Sequence, residues 1–176
     1  MVGFAVRPMA PEDVPDMVRM YSRSWIDTYA NPDTGVTREW VEAKVAPRST
    51  PENLERLARL ITDTDPLRGA NYVAVSDGAV IGMCRPYSDR NGRCHVGAIY
   101  VDKAWHGKGV GAALMERILD WVGTRRDVEL QVATYNERAR RFYRKWGFVE
   151  KPGSEAQYAG LIEEVTMIRP SHGSLD

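Results

Sequence analysis

Residues 104–114 read AWHGKGVGAAL, in which Gly107, Gly109 and Gly111 alternate with other residues before a run of helix formers. The preceding stretch AIYV, at 98–101, has the apolar and β-branched residues of a strand. The first turn of a helix has backbone N–H groups without carbonyl partners and a partial positive charge. Glycines at that turn let an anion approach the N–H groups, because no Cβ intervenes. This stretch therefore predicts a phosphate-binding turn.

Two other phosphate patterns and a plain turn compete with this interpretation. A nucleoside-triphosphate loop would need glycine in place of Asp102 and Ser or Thr in place of Gly109, so that pattern fails. A dinucleotide fingerprint fits as Gly107-x-Gly109-x-x-Ala112, but five residues separate the first glycine from the strand. The acidic residue it needs should end the next strand, whereas Glu129 begins it. An ordinary turn into a helix remains open.

The bulk composition excludes several classes of protein. The chain has 176 residues, with 24 Lys+Arg balanced by 24 Asp+Glu, so it lacks the basic excess of a general nucleic-acid binder. No stretch approaches the roughly 20 apolar residues of a membrane-spanning helix, and no secretory signal opens the chain. We expect a cytoplasmic protein without membrane contact.

The two cysteines, Cys84 and Cys94, have no metal-like spacing to histidine, so no metal site is predicted. Free thiols are expected, and a disulfide between them is the alternative.

Hydrophobic periodicity and turn residues predict one mixed α/β domain over residues 1–170, followed by a tail at 171–176. Asp77-Gly78 and Asn91-Gly92 predict tight turns between strands, and Thr50 is a helix cap. The predicted helices lie at 11–29, 37–45, 50–61, 110–123 and 136–147, and the predicted strands at 4–9, 72–75, 79–84, 93–101, 128–134 and 161–168.

Two blocks of sequence resemble a known family. The segment 98–122 is similar to the acetyl-CoA-binding signature of the GCN5-related N-acetyltransferases (GNAT): a strand, then [Arg/Gln]-x-x-Gly-x-[Gly/Ala] opening a helix. The family's Arg or Gln falls on His106, which is a departure from the pattern. The segment 132–150 resembles the family's Asn-x-x-Ala-x-x-Phe-Tyr-x-x-x-Gly-Phe motif. The blocks occur in the family's order and together cover residues 95–150.

The resemblance implies a single-domain GNAT-like fold, with a central mixed, mostly antiparallel sheet flanked by helices and a splayed central strand pair. It implies acetyl-CoA as cosubstrate. The cofactor-binding positions that it implies are Ile99, Tyr100, Val101, His106, Gly107, Lys108, Gly109, Val110, Gly111, Ala112, Asn136, Ala139 and Tyr143.

The implied reaction is direct attack of an amine on a thioester, through a tetrahedral intermediate. The family's thiolate-protonating tyrosine falls on Tyr143; from helical spacing alone, Tyr143 is a packed aromatic. Asn136 caps its helix and, by the resemblance, touches the pantetheine arm. The oxyanion donor is implied to be a backbone N–H within 99–101. Histidine is the residue type that exchanges protons near neutral pH, and strict alternation places His95 on the face of Ile99 and Val101, but a lone histidine at the start of a strand is more often structural. We assign it no catalytic role.

The acceptor is a small-molecule or peptide amine whose identity the sequence does not give. Trp25 and Tyr29 are four residues apart on one helix face, so they either pack in the core or form an aromatic wall for the acceptor. The sequence is compatible with a homodimer. The expected function is acetyl-CoA-dependent N-acetyltransfer. The alternatives are a catalytically silent acyl-CoA-binding regulatory module and, more remotely, a dinucleotide enzyme.

Overall fold

The computed structural model describes residues 3–171, so the predicted tail falls outside it at residues 172–176. Within the described range one eight-stranded sheet runs in the order β1-β2-β3-β4-β5-β8-β6, with β7 paired to β8. All named pairings are antiparallel except that between β4 and β5. The strands are β1 Ala5–Pro8, β2 Tyr72–Ser76, β3 Ala79–Ser88, β4 Cys94–Val101, β5 Val128–Ala133, β6 Val149–Glu150, β7 Ala156–Tyr158 and β8 Ile162–Arg169.

Five α-helices of the described chain cover the two faces of this sheet. Helices α1, α2 and α3 pack on one face, where leucines of α3 meet methionines of α1. Helices α4 and α5 pack on the other, around fully buried Leu114, Met115 and Ile118. The helices are α1 Val14–Tyr29, α2 Arg38–Val45, α3 Pro51–Thr62, α4 Val110–Val122 and α5 Glu137–Lys145. The mixed, mostly antiparallel sheet confirms the predicted fold class and excludes the parallel sheet of a dinucleotide domain.

Local signals place the helix ends. The Thr50 hydroxyl accepts a hydrogen bond from Asn53 N (3.4 Å), as the cap prediction requires. Asn136 caps α5 by accepting from Ala139 N at 3.1 Å. Gly123 ends α4 with φ +74°, a conformation that glycine adopts without steric cost. The start of α5 is thus fixed by the same asparagine that the motif singled out.

A β-bulge in the centre of the sheet separates β4 from β5. In the pairing of β3 with β4, Arg85 lies opposite Ala98 and Pro86 opposite Val96, which leaves Gly97 as the extra residue. Beyond this bulge β4 has no register partner on β5, because the two strands pair only at 94–95 and 128–129. The predicted splayed strand pair is therefore present, and it opens a wedge between the ends of the strands.

The bulge also reverses the alternation of side chains along β4. Cys94 and Val96 face α4 and α5, as do Ile99 and Val101 after the bulge. The expectation that His95 shares a face with Ile99 is therefore wrong, because the extra residue shifts the period by one. His95 Nε2 lies 3.3 Å from Asp89 Oδ2. Its place on the other side of the sheet is outside the cleft described below.

The sequence does not indicate two of the short strands, and it leaves the pairing of the two cysteines open. The two- and three-residue strands β6 and β7 were not predicted, because segments of that length carry no measurable periodicity. Cys84 and Cys94 are both buried free thiols, and burial raises the pKa of Cys84 to about 12. Cys84 lies opposite Ile99 and Cys94 opposite Ser88, so the two thiols do not face each other.

We expect Gly97→Val to destabilise the protein, because the bulge leaves no room for a side chain. A Cβ at this position would lie 2.8 Å from Tyr87 Cε1. Overpacking of this kind costs about 1–3 kcal/mol, which thermal unfolding would show as a lower Tm. Gly3→Ala is the control, since a Cβ there meets nothing within 4 Å. Equal Tm values for the two variants would contradict this account of the bulge.

Candidate active site

A cleft of about 890 Å³ occupies the wedge between β4 and β5. Its walls are backbone and side chains of 96–101 on β4 and 131–133 on β5, with the start of α4 and one side of α5 closing the far end. Strand ends that diverge leave main-chain N–H and C=O groups without strand partners. An extended ligand can pair with such groups as an added strand would.

The glycine turn forms one end of the cleft. Gly107 (φ +77°) and Gly109 (φ +87°) are both left-handed, which L side chains rarely adopt. Gly109 is also the N-cap of α4, and the helical hydrogen bonds begin with Ala113 N donating to Gly109 O at 3.0 Å. The amides before Ala113 belong to the first turn, where no intrahelical acceptor exists. These free amides and the two left-handed glycines give the turn the backbone conformation that the predicted phosphate-binding turn requires. This glycine turn, at 107–111, is called the cradle below.

Gly111 has a different role from the other two glycines. It is helical, and a Cβ built there would lie 3.6 Å from the Phe142 ring and 3.9 Å from Val101 Cγ2. These distances are ordinary van der Waals contacts, so a methyl group would fit at this position without displacing α5 or β4. Neither the backbone conformation nor steric contact with a Cβ requires glycine at 111.

His106, at the position where the motif has Arg or Gln, is held by two neighbours. Its Nε2 lies 3.0 Å from the carbonyl of Val101, which requires Nε2 to carry the hydrogen. Its Nδ1 then accepts from the guanidinium of Arg138 on α5. Burial, and next the charge of Arg138, lower the pKa of His106, so the ring is neutral near pH 7. A guanidinium thus stands beside the cradle, supplied by α5 instead of the loop.

The rim of the cleft near the cradle is basic. Lys103, Arg138, Arg141 and Lys145 all line it. The two lining carboxylates are Glu137, which pairs with Arg144 at 2.8 Å, and Asp27. The four cations converge from two segments that are far apart in sequence. Sequence reasoning missed all four of them, because their convergence depends on how α5 packs beside α4. A polyanionic ligand would be favoured at this rim.

Tyr143 lies in the wall of the cleft, on the buried face of α5. Its side chain is only 8% exposed and contacts the rings of Phe142 and Phe148. Burial raises the pKa of Tyr143 well above its usual value, so the phenol keeps its proton at neutral and alkaline pH. Tyr143 is therefore a packed aromatic that keeps its phenolic proton and also borders the cleft.

A group of tyrosines marks the opposite side of the cleft. The hydroxyls of Tyr29 and Tyr100 lie 3.1 Å apart, and Tyr135 donates its hydroxyl to the Tyr29 carbonyl at 3.3 Å. Burial raises the pKa of Tyr29 to about 12, with smaller contributions that include the charge of Glu164. Burial, and next the charge of the same carboxylate, raise the pKa of Tyr135. Glu164 is thus the carboxylate whose charge reaches both of these cleft-lining tyrosines.

Most of the residues chosen from the sequence line the cleft together. Trp25, Lys108 and Val110 do not. Trp25 is buried in the core with residues of α2, and Lys108 lies over the Trp105 ring. Val110, the first residue of α4, is buried in the core between α4 and the sheet. For Trp25 the structure shows packing rather than a wall of the cleft. The predicted residues that line it are Tyr29, Ile99, Tyr100, Val101, His106, Gly107, Gly109, Gly111, Ala112, Asn136, Ala139 and Tyr143.

Among residues 3–171 no helix has the length and apolar character needed to cross a membrane. The same described residues contain no group of three or more His, Cys, Asp or Glu side chains placed to hold a metal ion.

Comparison with known families gives one match over most of the chain: the Acetyltransferase (GNAT) family, over residues 19–148. Among individual proteins, an uncharacterized N-acetyltransferase of Mycobacterium tuberculosis strain H37Rv is 37% identical over 89 residues, 48% of this chain and 55% of that protein. The L-amino acid N-acetyltransferase AaaT of Escherichia coli K12 is 36% identical over 94 residues, 49% of this chain and 57% of that protein. The matches thus span little more than half of these relatives.

Solved structures share the fold over nearly the whole chain. PaiA N-acetyltransferase from Thermoplasma acidophilum, in complex with coenzyme A, matches with TM-score 0.73 and 19% identity, covering 95% of this chain and 98% of that one. A GNAT superfamily phosphinothricin acetyltransferase from Sinorhizobium meliloti, in complex with AcCoA, matches with TM-score 0.70 and 21% identity, covering 100% and 92%. At these identities the likeness establishes the fold.

We expect Gly109→Val to abolish the rise in Tm that acetyl-CoA produces in the wild-type protein. The substitution strains a left-handed residue by about 1–2 kcal/mol and places a branched side chain at the cradle. Gly123→Val is the matched control, because Gly123 has φ +74° at the opposite end of the same helix. The control should lose stability but keep the ligand-induced shift. A normal shift in Gly109→Val would make the loop an ordinary turn.

We expect Arg138→Gln to weaken acetyl-CoA binding about tenfold, the scale of one charge-assisted hydrogen bond. Isothermal titration at low and high salt would also show a smaller salt dependence in the variant. Arg117→Gln, on the exposed side of α4, is the control. His106→Arg should give no gain in affinity, because Arg138 already supplies the guanidinium. Unchanged affinity in Arg138→Gln would mean that backbone amides alone hold the diphosphate.

Proposed function

The chain belongs to the acetyltransferase (GNAT) family, and on that premise we propose that it transfers the acetyl group of acetyl-CoA to a primary amine of a small molecule or peptide. The observation that carries the proposal is the cleft itself. A glycine cradle with a basic rim lies at one end, free strand backbone follows, and a protonated tyrosine borders the same space. Location in the cytoplasm and assembly as a homodimer stay predictions from the sequence.

In the proposed arrangement the chain holds acetyl-CoA by its backbone. The amides of the first turn of α4 bind the diphosphate, while Arg138 and Arg141 neutralise its charge. The pantetheine arm pairs with the unpartnered edge of β4, next to Asn136 and Ala139. This places the thioester toward the tyrosines, on the side of the cleft opposite the glycine turn. A backbone N–H within 99–101 is the proposed donor to the oxyanion.

The proposed chemistry is direct acyl transfer. The neutral amine attacks the thioester carbon, a C–N bond forms, and the C–S bond breaks as the oxyanion collapses. Tyr143 gives its proton to the departing thiolate. The burial that raises the pKa of Tyr143 also makes a thiolate in the same cleft a stronger base, which keeps the transfer feasible. The proton lost by the amine goes to water or to a carboxylate on the acceptor side.

A silent acyl-CoA-binding module would need the same cradle but no proton donor. The position of Tyr143 in the cleft wall favours the enzyme. The E. coli relative is named for L-amino acid acetylation, so amino acids belong in the first screen of acceptors alongside polyamines, aminoglycosides and N-terminal peptides.

We expect Tyr143→Phe to lower kcat roughly tenfold or more and to leave the affinity for acetyl-CoA nearly unchanged. The substitution keeps the ring and removes only the proton, and general acid assistance is typically worth about 10²- to 10⁴-fold. Because Tyr143 keeps its proton, wild-type kcat should show no basic limb below about pH 10, the usual tyrosine pKa.

Tyr72→Phe is the matched control, since Tyr72 lies on β2 outside the cleft. Steady-state kinetics with a turning-over acceptor, with titration of acetyl-CoA, distinguish the outcomes. Unchanged kcat when chemistry is rate-limiting would assign Tyr143 to packing and the proton to water. A loss of acetyl-CoA affinity alone would assign it to the wall of the pantetheine site.

A further inference from the structure

An arginine without a charged partner is held between two aromatic rings next to the cleft. The Cζ atom of Arg48 lies 4.1 Å from the centroid of Trp25 and 4.5 Å from that of Tyr21. The segment that carries it, between α2 and α3, is anchored because Asn53 Nδ2 donates to the Arg48 carbonyl at 2.8 Å. The guanidinium is thus positioned by stacking and by its backbone. No carboxylate within residues 3–171 lies at ion-pair distance from it.

One buried donor of this group lacks an acceptor in the described chain. Arg48 Nη1 is buried with no hydrogen-bond partner, whereas Trp25 is within hydrogen-bond reach of Tyr21, an interaction that lowers the pKa of Tyr21. Burying a donor without an acceptor is unfavourable, and a charged donor more so, which is why such groups are usually paired. A small anion would satisfy the guanidinium. A planar carboxylate matches the forked geometry of a guanidinium.

A second cation acts on Tyr21 electrostatically, from outside the ring stack. Arg85, on β3, has its Cζ 5.7 Å from the Tyr87 ring and forms no ion pair among the described residues. Burial raises the pKa of Tyr21, and the charges of Arg48 and Arg85 both oppose that rise. Both cations therefore lie within electrostatic reach of one ring. The surroundings of Tyr21 favour an anion.

The two rings that hold Arg48 contact tyrosines on the side of the cleft proposed for the acceptor. The Trp25 ring contacts Tyr29 at a centroid distance of 4.6 Å, and the Tyr21 ring contacts Tyr100 at 4.7 Å. Tyr29 and Tyr100 both line the cleft. Tyr158, 43% exposed on β7, approaches Trp25 at 5.8 Å from the outer side. Arg48 is thus one aromatic ring away from the space where the acceptor meets the thioester.

A carboxylate lies near the cleft end of this aromatic group. Glu164 on β8 is the register partner of Ala133 on β5, and Ala133 lines the cleft. After burial, the charge of Glu164 contributes to the raised pKa values of Tyr29 and Tyr135. Arg48 lies on the other side of the rings. A molecule with an ammonium at one end and a carboxylate at the other would match this order of charges.

We propose that Arg48 binds the carboxylate of an amino-acid acceptor whose amine lies in the cleft. This assignment rests on the proposed acetyltransferase function and adds the substrate class and the residue that selects it. Arg48 is a specificity residue here and takes no part in bond making. The length of the acceptor between its amine and its carboxylate is set by the distance from Arg48 to the thioester.

The test compares carboxylates with their neutral amides. The acceptors are glycine, β-alanine, 4-aminobutanoate, 6-aminohexanoate and L-phenylalanine, each paired with its carboxamide. We expect the wild-type protein to favour the carboxylate of the best-fitting length at least tenfold in kcat/KM. In Arg48→Gln that preference should vanish through KM, with the KM of acetyl-CoA unchanged. The amine pKa differs between an acceptor and its carboxamide. That difference cancels when the ratio of kcat/KM for carboxylate over carboxamide in the wild-type protein is divided by the same ratio in Arg48→Gln.

Two variants control for fold and for charge. Arg38→Gln removes an exposed arginine of α2 that pairs with Glu42 at 2.7 Å, so it should keep the preference. Arg48→Lys keeps the positive charge without the fork, so it should keep part of the preference even if Arg48→Gln proves poorly folded. Equal treatment of carboxylate and carboxamide by the wild-type protein at every chain length would overturn the proposal without any variant.

A binding measurement separates this proposal from the enzymatic one. Titration of N-acetyl-L-phenylalanine and of its carboxamide, with coenzyme A present, requires no turnover. Selective binding of the carboxylate in the wild-type protein, lost in Arg48→Gln, would support the site even if no amine were acetylated. Acetylation of amines with a preference that Arg48→Gln leaves intact would keep the enzyme and refute the role of Arg48.

Discussion

The site depends on one constraint, the loss of pairing between β4 and β5 after their first two residue pairs. An extra residue at Gly97 and a proline at 86, which has no N–H to donate, mark the point at which β4 departs from regular pairing. The divergence leaves unpaired backbone in the middle of a sheet, where it is normally costly. A ligand that pairs as a strand offsets that cost, so the fold is arranged to bind an extended molecule. The helices on either face hold the wedge open.

Charge around the wedge is arranged along its length. Backbone amides and arginines from α5 favour a polyanion at the end formed by α4. At the opposite end, Glu164 lies behind a group of tyrosines with raised pKa values. His106 stands where the motif has Arg or Gln, and burial together with the charge of Arg138 lowers the pKa of His106. Arg138 contacts the ring of His106, so a guanidinium from α5 lies beside the glycine turn.

Local features of the sequence predicted much of the fold, and tertiary features were missed. The caps at Thr50 and Asn136 and the glycine turn depend on a few adjacent residues, so they could be read directly. The motif spacing also placed Tyr143 correctly in the cleft wall. The predicted face of His95 is wrong, because the bulge adds a residue that the alternation of apolar and polar side chains does not indicate. The contacts of Arg48 with the rings of Tyr21 and Trp25 join the α2–α3 connection to α1, and no local sequence pattern predicts contacts between such distant segments.

The central claim is that free backbone of β4 and of the first turn of α4 holds acetyl-CoA. Amide hydrogen exchange followed residue by residue, with and without saturating acetyl-CoA, tests it most directly. The account predicts slower exchange within 99–101 and 109–112. Exchange near Gly123, at the far end of α4, and along β2 should remain nearly unchanged. Saturating acetyl-CoA that left both cleft segments unprotected, or protected only residues elsewhere, would contradict the account.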